Sequence, residues 1–219
     1  QILNEDGTKA EYTEQATSDA IKFYVDLQNN DWCPTQEQFA NTSATEQFFS
    51  GQGAMFFAGS WDLVNLCSTY TDMNGKWDVA VLPKCPNPES GDGRAVISNS
   101  VSYATAAEGK NKDTAMDFLK FLASEEGQKI QGESGVAIPA YNGLEDTWVN
   151  TFAEKGYDIH PENIIPMFDY SVKYVNNPSR PSWEPKVEQA VLDIYAGNTS
   201  VDDGIQNMQN IVTEAIAEE

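Results

Sequence analysis

The chain has 219 residues, and its 34 Asp and Glu against 13 Lys and Arg give a formal net charge of −21 at pH 7. Because phosphate backbones and anionic lipid surfaces repel such an acidic protein, the composition argues against binding to nucleic acid or to a membrane surface. Hydrophobic residues make up 40% of the chain and include five Trp, which is enough to bury a core. The composition and length predict a globular protein of one large α/β domain or two modest ones.

Several kinds of catalytic and metal site are disfavoured. The single histidine, His160, excludes any site that needs two imidazoles, and its position before a proline in a polar stretch predicts a surface loop. The three cysteines, Cys33, Cys67 and Cys85, lack zinc-site spacing and are interpreted as half-buried thiols, of which at least one is free. No cofactor is expected, because the chain has no glycine-rich phosphate loop.

The first part of the chain is predicted to alternate helices with short apolar strands. Helical periodicity predicts helices at residues 18–27 and 44–50, and a further helix beginning near Ser60. Residues 54–58 are an apolar run between glycines that is too short for a core helix, so they are predicted to form a fully buried strand. A second apolar strand is predicted at residues 77–82.

The remainder is predicted to be mainly helical. Residues 84–94 form the clearest loop, and residues 95–105 are predicted to be a strand. A short extended piece is predicted at residues 135–139. Ser200 with Asp203 is a capping box for the last helix. The predicted helices of this part are residues 113–123, one from Ser124 to near Gly132, 144–153, a region around 167–174 interrupted by Pro166, 183–195 and 201–217.

The abundant carboxylates raise the possibility of a glycoside hydrolase, which needs two carboxyl groups across one bond. Asp62 and Glu184 each adjoin a Trp, but a solvated acidic face accounts for most of the carboxylates. The more informative residue is Trp61, in a Gly-Ser turn between a predicted strand and a predicted helix. Such turns lie at the edge of a sheet where open α/β proteins contact their ligands.

Residues 48–61 resemble a signature of the extracellular solute-binding proteins of ABC sugar importers, the maltose-binding-protein-like family. The signature reads F-x-x-G-x-x-A-M-x-x-x-G-x-W and ends here at Trp61. Three later segments also resemble family motifs in the same order, and they are residues 77–83, 115–128 and 135–140. The resemblance covers nearly the whole chain.

The resemblance implies an α/β, two-lobed fold of the type II periplasmic-binding-protein kind. Residues 1–82 and 138–219 would belong to the C-terminal lobe, and residues 83–137 would be the returning segment of the N-terminal lobe. The long N-terminal segment of the family would then be absent, together with the signal or lipoprotein anchor expected on it. Residues 83–137 would lose a packing surface, so a dimer, a segment swap or folding back onto the remaining lobe is expected.

The ligand site is implied in the same way. Trp61 matches the Trp that stacks on a sugar ring, and Trp183 lies near a second aromatic contact, although either indole could instead be a core residue. Ser60 and Asp62 are the first candidates to bind sugar hydroxyls, and Asn99 is a weaker one. The other tryptophans are interpreted as structural, and they are Trp32, Trp77 and Trp148.

The function implied is that of a receptor without enzymatic activity. It would capture an extracellular carbohydrate, most simply an oligosaccharide, and deliver it to the membrane subunits of an ABC permease. Its location would be extracellular, at the cell surface or periplasmic. Two alternatives stay open at this point, a carbohydrate hydrolase and a surface adhesin built on the same fold.

Overall fold

The computed structural model describes residues 2–86, 88, 93–100, 102–174 and 177–218. The chain divides into two compact units. Unit 1 comprises Gln1–Phe56, Pro86–Gly93 and Tyr174–Glu219, and unit 2 comprises Phe57–Cys85 and Arg94–Lys173. The predicted lobe boundaries at residues 82 and 137 stay a prediction about the whole protein.

Helices dominate the described part of both units. Unit 1 contains the first three α-helices and the last two, and unit 2 contains the others together with two short strands. The α-helices in chain order are α1 (Gln15–Asn29), α2 (Gln36–Asn41), α3 (Ala44–Phe49), α4 (Leu63–Thr69), α5 (Lys112–Leu122), α6 (Glu125–Ser134), α7 (Glu145–Glu154), α8 (Arg180–Tyr195) and α9 (Val201–Ala217). The 3-10 segments are Ser60–Asp62, Thr71–Met73 and Pro161–Tyr170, and the strands are β1 (Val96–Ser98) and β2 (Ser171–Lys173).

Side-chain caps fix where several of these helices begin. Thr35 and Ser43 form full capping boxes at the starts of α2 and α3. The predicted cap at Ser200 is confirmed, because its Oγ accepts the backbone N–H of Asp203 at 3.1 Å. At the C-terminal end of α6, Gly135 adopts a φ of 80°, a left-handed conformation that glycine reaches without steric cost.

The core of unit 1 forms where α1, α8 and α9 pack together. Gly204 of α9 faces Ile194 of α8 so closely that a Cβ on the glycine would overlap the isoleucine side chain. A residue without a side chain is therefore what lets these two helices approach. The buried core residues of the unit are Leu3, Ala10, Tyr12, Val25, Trp183, Ala190, Ile194, Ile205, Met208, Val212 and Ala215.

The N-terminal segment is attached to this core by one glutamine of α9. Gln209 accepts the backbone N–H of Tyr12 at 2.8 Å through Oε1 and donates from Nε2 to the carbonyl of Ala10 at 2.9 Å. Ala10 in turn pairs with Leu3 in an isolated antiparallel bridge. These bonds satisfy backbone groups that burial would otherwise leave without partners.

The core of unit 2 is smaller and centres on α7. Trp148 and Phe152 of α7 are fully buried and pack edge to face, with ring centroids 5.0 Å apart. The indole N–H of Trp148 donates to the carbonyl of Gly135 at 3.0 Å, which attaches the end of α6 to α7. Leu63 and Cys67 of α4 and Ile159 complete this core.

The sheet of unit 2 is shorter than the sequence predicts. Strands β1 and β2 are parallel, with Val96 paired to Ser171 and Ser98 to Lys173. The prediction of a strand over residues 95–105 is therefore confirmed only at residues 96–98. The region around 167–174 was predicted to be helical, but its helical part is the 3-10 segment that ends at Tyr170, and strand β2 follows.

The predictions of strands at residues 54–58 and 77–82 are wrong for the described structure, where neither segment is assigned as a strand. Met55 is 88% exposed, so the first segment is not buried either. The apolar composition is right for a central strand, but a strand forms only when neighbouring strands supply hydrogen bonds. Within the described residues, the sheet consists of β1 and β2 alone.

Residues 74–79 are bonded to residues 156–163 through side chains instead of a ladder. Asn74 donates from Nδ2 to the carbonyl of Gly156 at 3.0 Å and accepts the backbone N–H of Asp158 at 2.8 Å. Further along, the Nδ2 of Asn163 donates to the carbonyl of Val79 at 2.8 Å. Side-chain amides thus satisfy backbone groups that a neighbouring strand would satisfy in a sheet.

Candidate functional site

Trp61 lies in the short 3-10 segment that leads into α4. The turn is closed by the backbone N–H of Asp62, which donates to the carbonyl of Gly59 at 3.0 Å. Leu63 and Cys67 on the following helix are buried in the core of unit 2, and they anchor the turn from one side. Trp61 itself is 52% exposed, so a large part of the indole is open to solvent.

The indole of Trp61 lies back against Gly59. A Cβ built on Gly59 would overlap the six-membered ring of the indole. The backbone at Gly59 has φ −97° and ψ 157°, a conformation open to any residue. With the ring in this position, it is the close approach of the indole, and not the backbone conformation, that leaves no room for a side chain at Gly59.

Polar side chains adjoin the tryptophan on both sides. Ser60 and Asp62 are half-buried neighbours of Trp61 in the same turn. A carboxylate can accept hydrogen bonds, and a hydroxyl can both donate and accept them. Asn99 also belongs to unit 2 and is exposed directly after β1. Three predicted site residues, Ser60, Trp61 and Asp62, are thus brought together by the local turn.

Trp183 occupies a different environment, in the core of unit 1. It is only 2% exposed and packs among the buried side chains of α8 and α9. Among the described residues, its Nε1 has no hydrogen-bond partner. The structure places Trp183 as a core side chain, and the sugar contact predicted for it would require the ring to be uncovered.

Tyr174, Arg180 and Glu184 form a polar and aromatic cluster near Trp183 in the sequence. The sequence analysis did not predict this cluster. The guanidinium of Arg180 lies over the ring of Tyr174, 4.1 Å from its centroid. Arg180 also donates from Nε to Glu184 at 2.9 Å and forms a second, shorter bond from Nη2 to the same oxygen. The spacing of Arg180 and Glu184, four residues apart on a helix, was the available signal.

Tyr12 interacts electrostatically with Tyr174 and Glu184 of this cluster. Burial raises the pKa of its hydroxyl to about 12, and the negative charges that Tyr174 and Glu184 can carry add to the effect. Tyr12 therefore stays protonated across the physiological range. The hydrogen bonds that Arg180 donates to Glu184 in turn raise the pKa of Arg180 above its already high ordinary value.

The remaining tryptophans and the cysteines divide between confirmed predictions and corrections. Trp148 is fully buried and structural as predicted, and Trp77 packs against the core of unit 2. Trp32 is 71% exposed, so its structural interpretation is wrong, since its ring is not buried in either core. All three cysteines are free, but only Cys67 is buried, while Cys33 is half-buried and Cys85 is exposed.

The fold is shared with solved carbohydrate-binding proteins. The sugar-binding protein MalE from Xanthomonas citri superposes with a TM-score of 0.75 at 19% identity, covering 100% of this chain and 53% of that one. The cyclic α-maltosyl-1,6-maltose-binding protein from Arthrobacter globiformis gives 0.68 at 18% identity, with coverages of 100% and 53%. A solute-binding protein of an ABC transporter from Thermotoga lettingae, bound to α-D-tagatose, gives 0.69 at 18% identity, with coverages of 99% and 53%.

These structural similarities show that the chain has the α/β fold of the two-lobed periplasmic binding proteins. The predicted fold class is confirmed. The chain spans about half the length of these solved relatives. No curated protein sequence matches it.

The family follows from the sequence itself. Residues 1–129, more than half of the chain, match the family described as bacterial extracellular solute-binding protein, and the chain belongs to that family. The matched region contains the turn with Trp61 and its two polar neighbours. The resemblance inferred from residues 48–61 is therefore confirmed. Among the described residues, no helix combines the length and apolar character needed to cross a bilayer.

Proposed function

We propose that the protein binds a carbohydrate as the receptor component of an ABC importer and passes it to the membrane permease without altering it chemically. The observation that carries this proposal is the half-exposed indole of Trp61, held in a turn inside the region that matches the solute-binding family. Trp61 ends the segment 48–61 that resembles the family signature, and this distinguishes it from the more exposed Trp32. Proteins of this family bind solutes, which favours a receptor over an enzyme.

The turn suits a pyranose ring. One face of a pyranose carries C–H groups that pack well on an aromatic ring, while its hydroxyls need polar partners at the rim. Trp61 provides the ring, and Ser60 and Asp62 lie next to it to bind hydroxyls. Asn99 is the further candidate in unit 2, where an exposed amide can both donate and accept.

In unit 1, we propose that sugar hydroxyls bind at the cluster around Arg180 and Glu184 before they reach Trp183. The side chains of Arg180 and Glu184 remain 29% and 35% exposed, whereas Trp183 is covered. Their mutual bonds hold both groups in fixed orientations, which lowers the entropy cost of binding a ligand. The contact proposed for Trp183 follows only if the side chains that bury its ring move aside.

The ligand we propose is an oligosaccharide. One of the solved relatives is described as binding cyclic α-maltosyl-1,6-maltose, another is described as a sugar-binding protein, and a third is bound to α-D-tagatose. Malto-oligosaccharides, cyclic α-glucans and single ketohexoses are therefore the first panel to test. The net charge of −21 argues against anionic sugars, because the protein would repel them.

We propose that residues 83–137 belong to the N-terminal lobe of the whole protein and the flanking parts to its C-terminal lobe. Every residue of α5 is described and none is buried, and Phe118 is 59% exposed. Apolar surface of this kind is usually covered by other protein. Remaining chain of the complete protein would cover it. A 219-residue chain studied alone would bury it by dimerising, by swapping the segment between chains or by folding the segment back onto the remaining lobe.

The experiment that tests the function is a carbohydrate array probed with the protein as its gene encodes it, followed by prolonged incubation with each sugar bound. Binding to free sugars that are recovered unchanged is the expected result. New reducing ends would instead indicate a hydrolase. Binding only to host macromolecules would indicate an adhesin. Secretion of the natural protein and its release from cell surfaces would test the proposed location outside the cytoplasm.

A further inference from the structure

We propose that Gly59 is a positioning residue for the Trp61 platform, so that the absence of a side chain at position 59 sets the orientation of the indole. This inference rests on the proposed function, since it assigns Gly59 a role in sugar binding. Its structural basis is independent of that function. It is the contact between the indole ring and the Gly59 backbone, in which a Cβ would overlap the ring.

The steric requirement at Gly59 is confined to the indole. The backbone there lies in the extended region, so alanine could adopt the same φ and ψ without strain. The atoms nearest to a built Cβ all belong to the six-membered ring of Trp61. A side chain at position 59 would therefore displace the ring while leaving the path of the main chain open.

The orientation matters because a stacking platform needs one supported face and one free face. Trp61 is 52% exposed, as expected for an indole with one face against the Gly59 backbone and the other face open to solvent. Support from the Gly59 backbone restricts the ring to few rotamers before the ligand arrives. A ring fixed in advance loses less entropy on binding, so displacing it weakens sugar binding even though Trp61 is still present.

The first test is an NMR measurement that needs no sugar. Protons under an indole ring experience its ring current, so the α protons of Gly59 should resonate upfield of their position in the Trp61→Ala variant. The α protons of Gly53, whose nearest neighbours are backbone atoms of Gln47 and Phe48, should not change between the two proteins. Identical Gly59 shifts in both proteins would overturn the contact and with it the positioning role.

The second test is sugar affinity in Gly59→Ala, with Gly53→Ala as the matched control. At Gly53 the atoms nearest to a built Cβ are backbone atoms at 3.7 to 3.9 Å, which are ordinary contacts. We expect Gly59→Ala to weaken binding by about tenfold, a loss within the range that aromatic contacts contribute, and Gly53→Ala to leave it unchanged. Added to Trp61→Ala, the glycine substitution should cause no additional loss. Equal affinity of Gly59→Ala and the unmodified protein, or an equal further loss without Trp61, would overturn the proposal.

These outcomes separate the inference from the proposed function. If the unmodified protein binds no carbohydrate, the proposed function fails, while the ring-current measurement still decides whether Gly59 supports the ring. If sugar binds and Trp61→Ala weakens it, the proposed function stands, and the affinity of Gly59→Ala alone decides the positioning role.

Discussion

The Nδ1 of His160 lies 2.6 Å from Oδ2 of Asp78, so the only histidine of the chain is paired with a carboxylate from a distant part of unit 2. The other oxygen of Asp78 accepts the backbone N–H groups of His160 at 2.7 Å and Val79 at 2.8 Å. His160 is exposed before Pro161, as the sequence predicted. The pair belongs to the set of side-chain bonds that hold residues 74–79 against residues 156–163.

The pair shifts the pKa of both partners in opposite directions. The hydrogen bond that the imidazole donates to Asp78 raises the pKa of His160, and the charges of Asp78, Glu162 and Asp158 add to it. Desolvation acts to raise the pKa of Asp78, but the hydrogen bonds from His160 and Val79 outweigh it, and that pKa is lowered. We expect an NMR titration to give His160 a pKa above the ordinary 6.5.

Asp78→Asn should return the His160 pKa toward its ordinary value, and Asp72→Asn, an exposed carboxylate of the same unit, should not. Because the folded pKa of His160 is raised, its stabilising effect is complete below the unfolded pKa and is lost as pH rises through the folded value. The lowered pKa of Asp78 makes its effect complete above the unfolded pKa and lost as pH falls through the folded value. The difference in unfolding free energy between Asp78→Asn and Asp72→Asn should therefore be largest in mildly acidic solution and smaller above neutral pH. A difference that is independent of pH would contradict the ion pair.

Replacing Trp61 should change binding and not folding. Trp61→Ala is expected to lose about 1–3 kcal/mol of sugar affinity, from lost apolar contact and the aromatic contribution, with little change in melting temperature. Trp32→Ala is the matched control, since Trp32 is also exposed and lies in the other unit. A large fall in melting temperature with unchanged affinity would identify Trp61 as a packing residue. Calorimetric titration and thermal unfolding of the three proteins measure both quantities.

The contact between α8 and α9 predicts a sharp steric penalty at Gly204. Gly204→Ala places a methyl group where the side chain of Ile194 lies, and overpacking of this kind typically costs about 1–3 kcal/mol of unfolding free energy. Asn207→Ala, on the exposed side of the same helix, should have little effect. Combining Gly204→Ala with Ile194→Ala should cost less than the sum of the two single changes. Additive losses in urea unfolding would show that the two side chains do not compete for space.

The cysteines should react in the order of their exposure. Denatured protein is expected to show three thiols per chain, because all three cysteines are free in the structure. In the native protein Cys85 should react first and Cys67 last, since burial protects Cys67 and raises its thiol pKa to about 11. A denatured count of one would instead reveal a disulfide. Thiol titration before and after denaturation, with Cys85→Ser to assign the fast phase, separates these outcomes.

The α-helices other than α2 could be predicted from the sequence because their signals are local. Periodic apolar residues and caps such as Ser200 determine α9 at residues 201–217, and the structure has the same bounds. The strands could not, because an apolar run shows that a segment can be buried but not which neighbours will pair with it. Residues 54–58 and 77–82 have strand-like composition, yet the partners that would make them strands are not among the described residues.

The candidate site was predictable where chain neighbours form it. Ser60, Trp61 and Asp62 share one turn, so a sequence motif is sufficient to bring them together. Trp183 shows the limit of this reasoning, since its burial depends on how α8 packs against α9. The support of Trp61 by Gly59 is visible only from the side-chain rotamer, which no sequence pattern specifies.

We propose that an uncharged sugar binds at Trp61. Isothermal titration calorimetry of the natural full-length protein is the most direct test of this binding. The protein would be titrated with the oligosaccharide that gives the strongest array signal. We expect saturable binding of one sugar per chain in the unmodified protein and in Trp32→Ala, with a clear loss of affinity in Trp61→Ala. Binding that is equally tight in all three proteins, or no heat of binding with any carbohydrate of the panel, would contradict it.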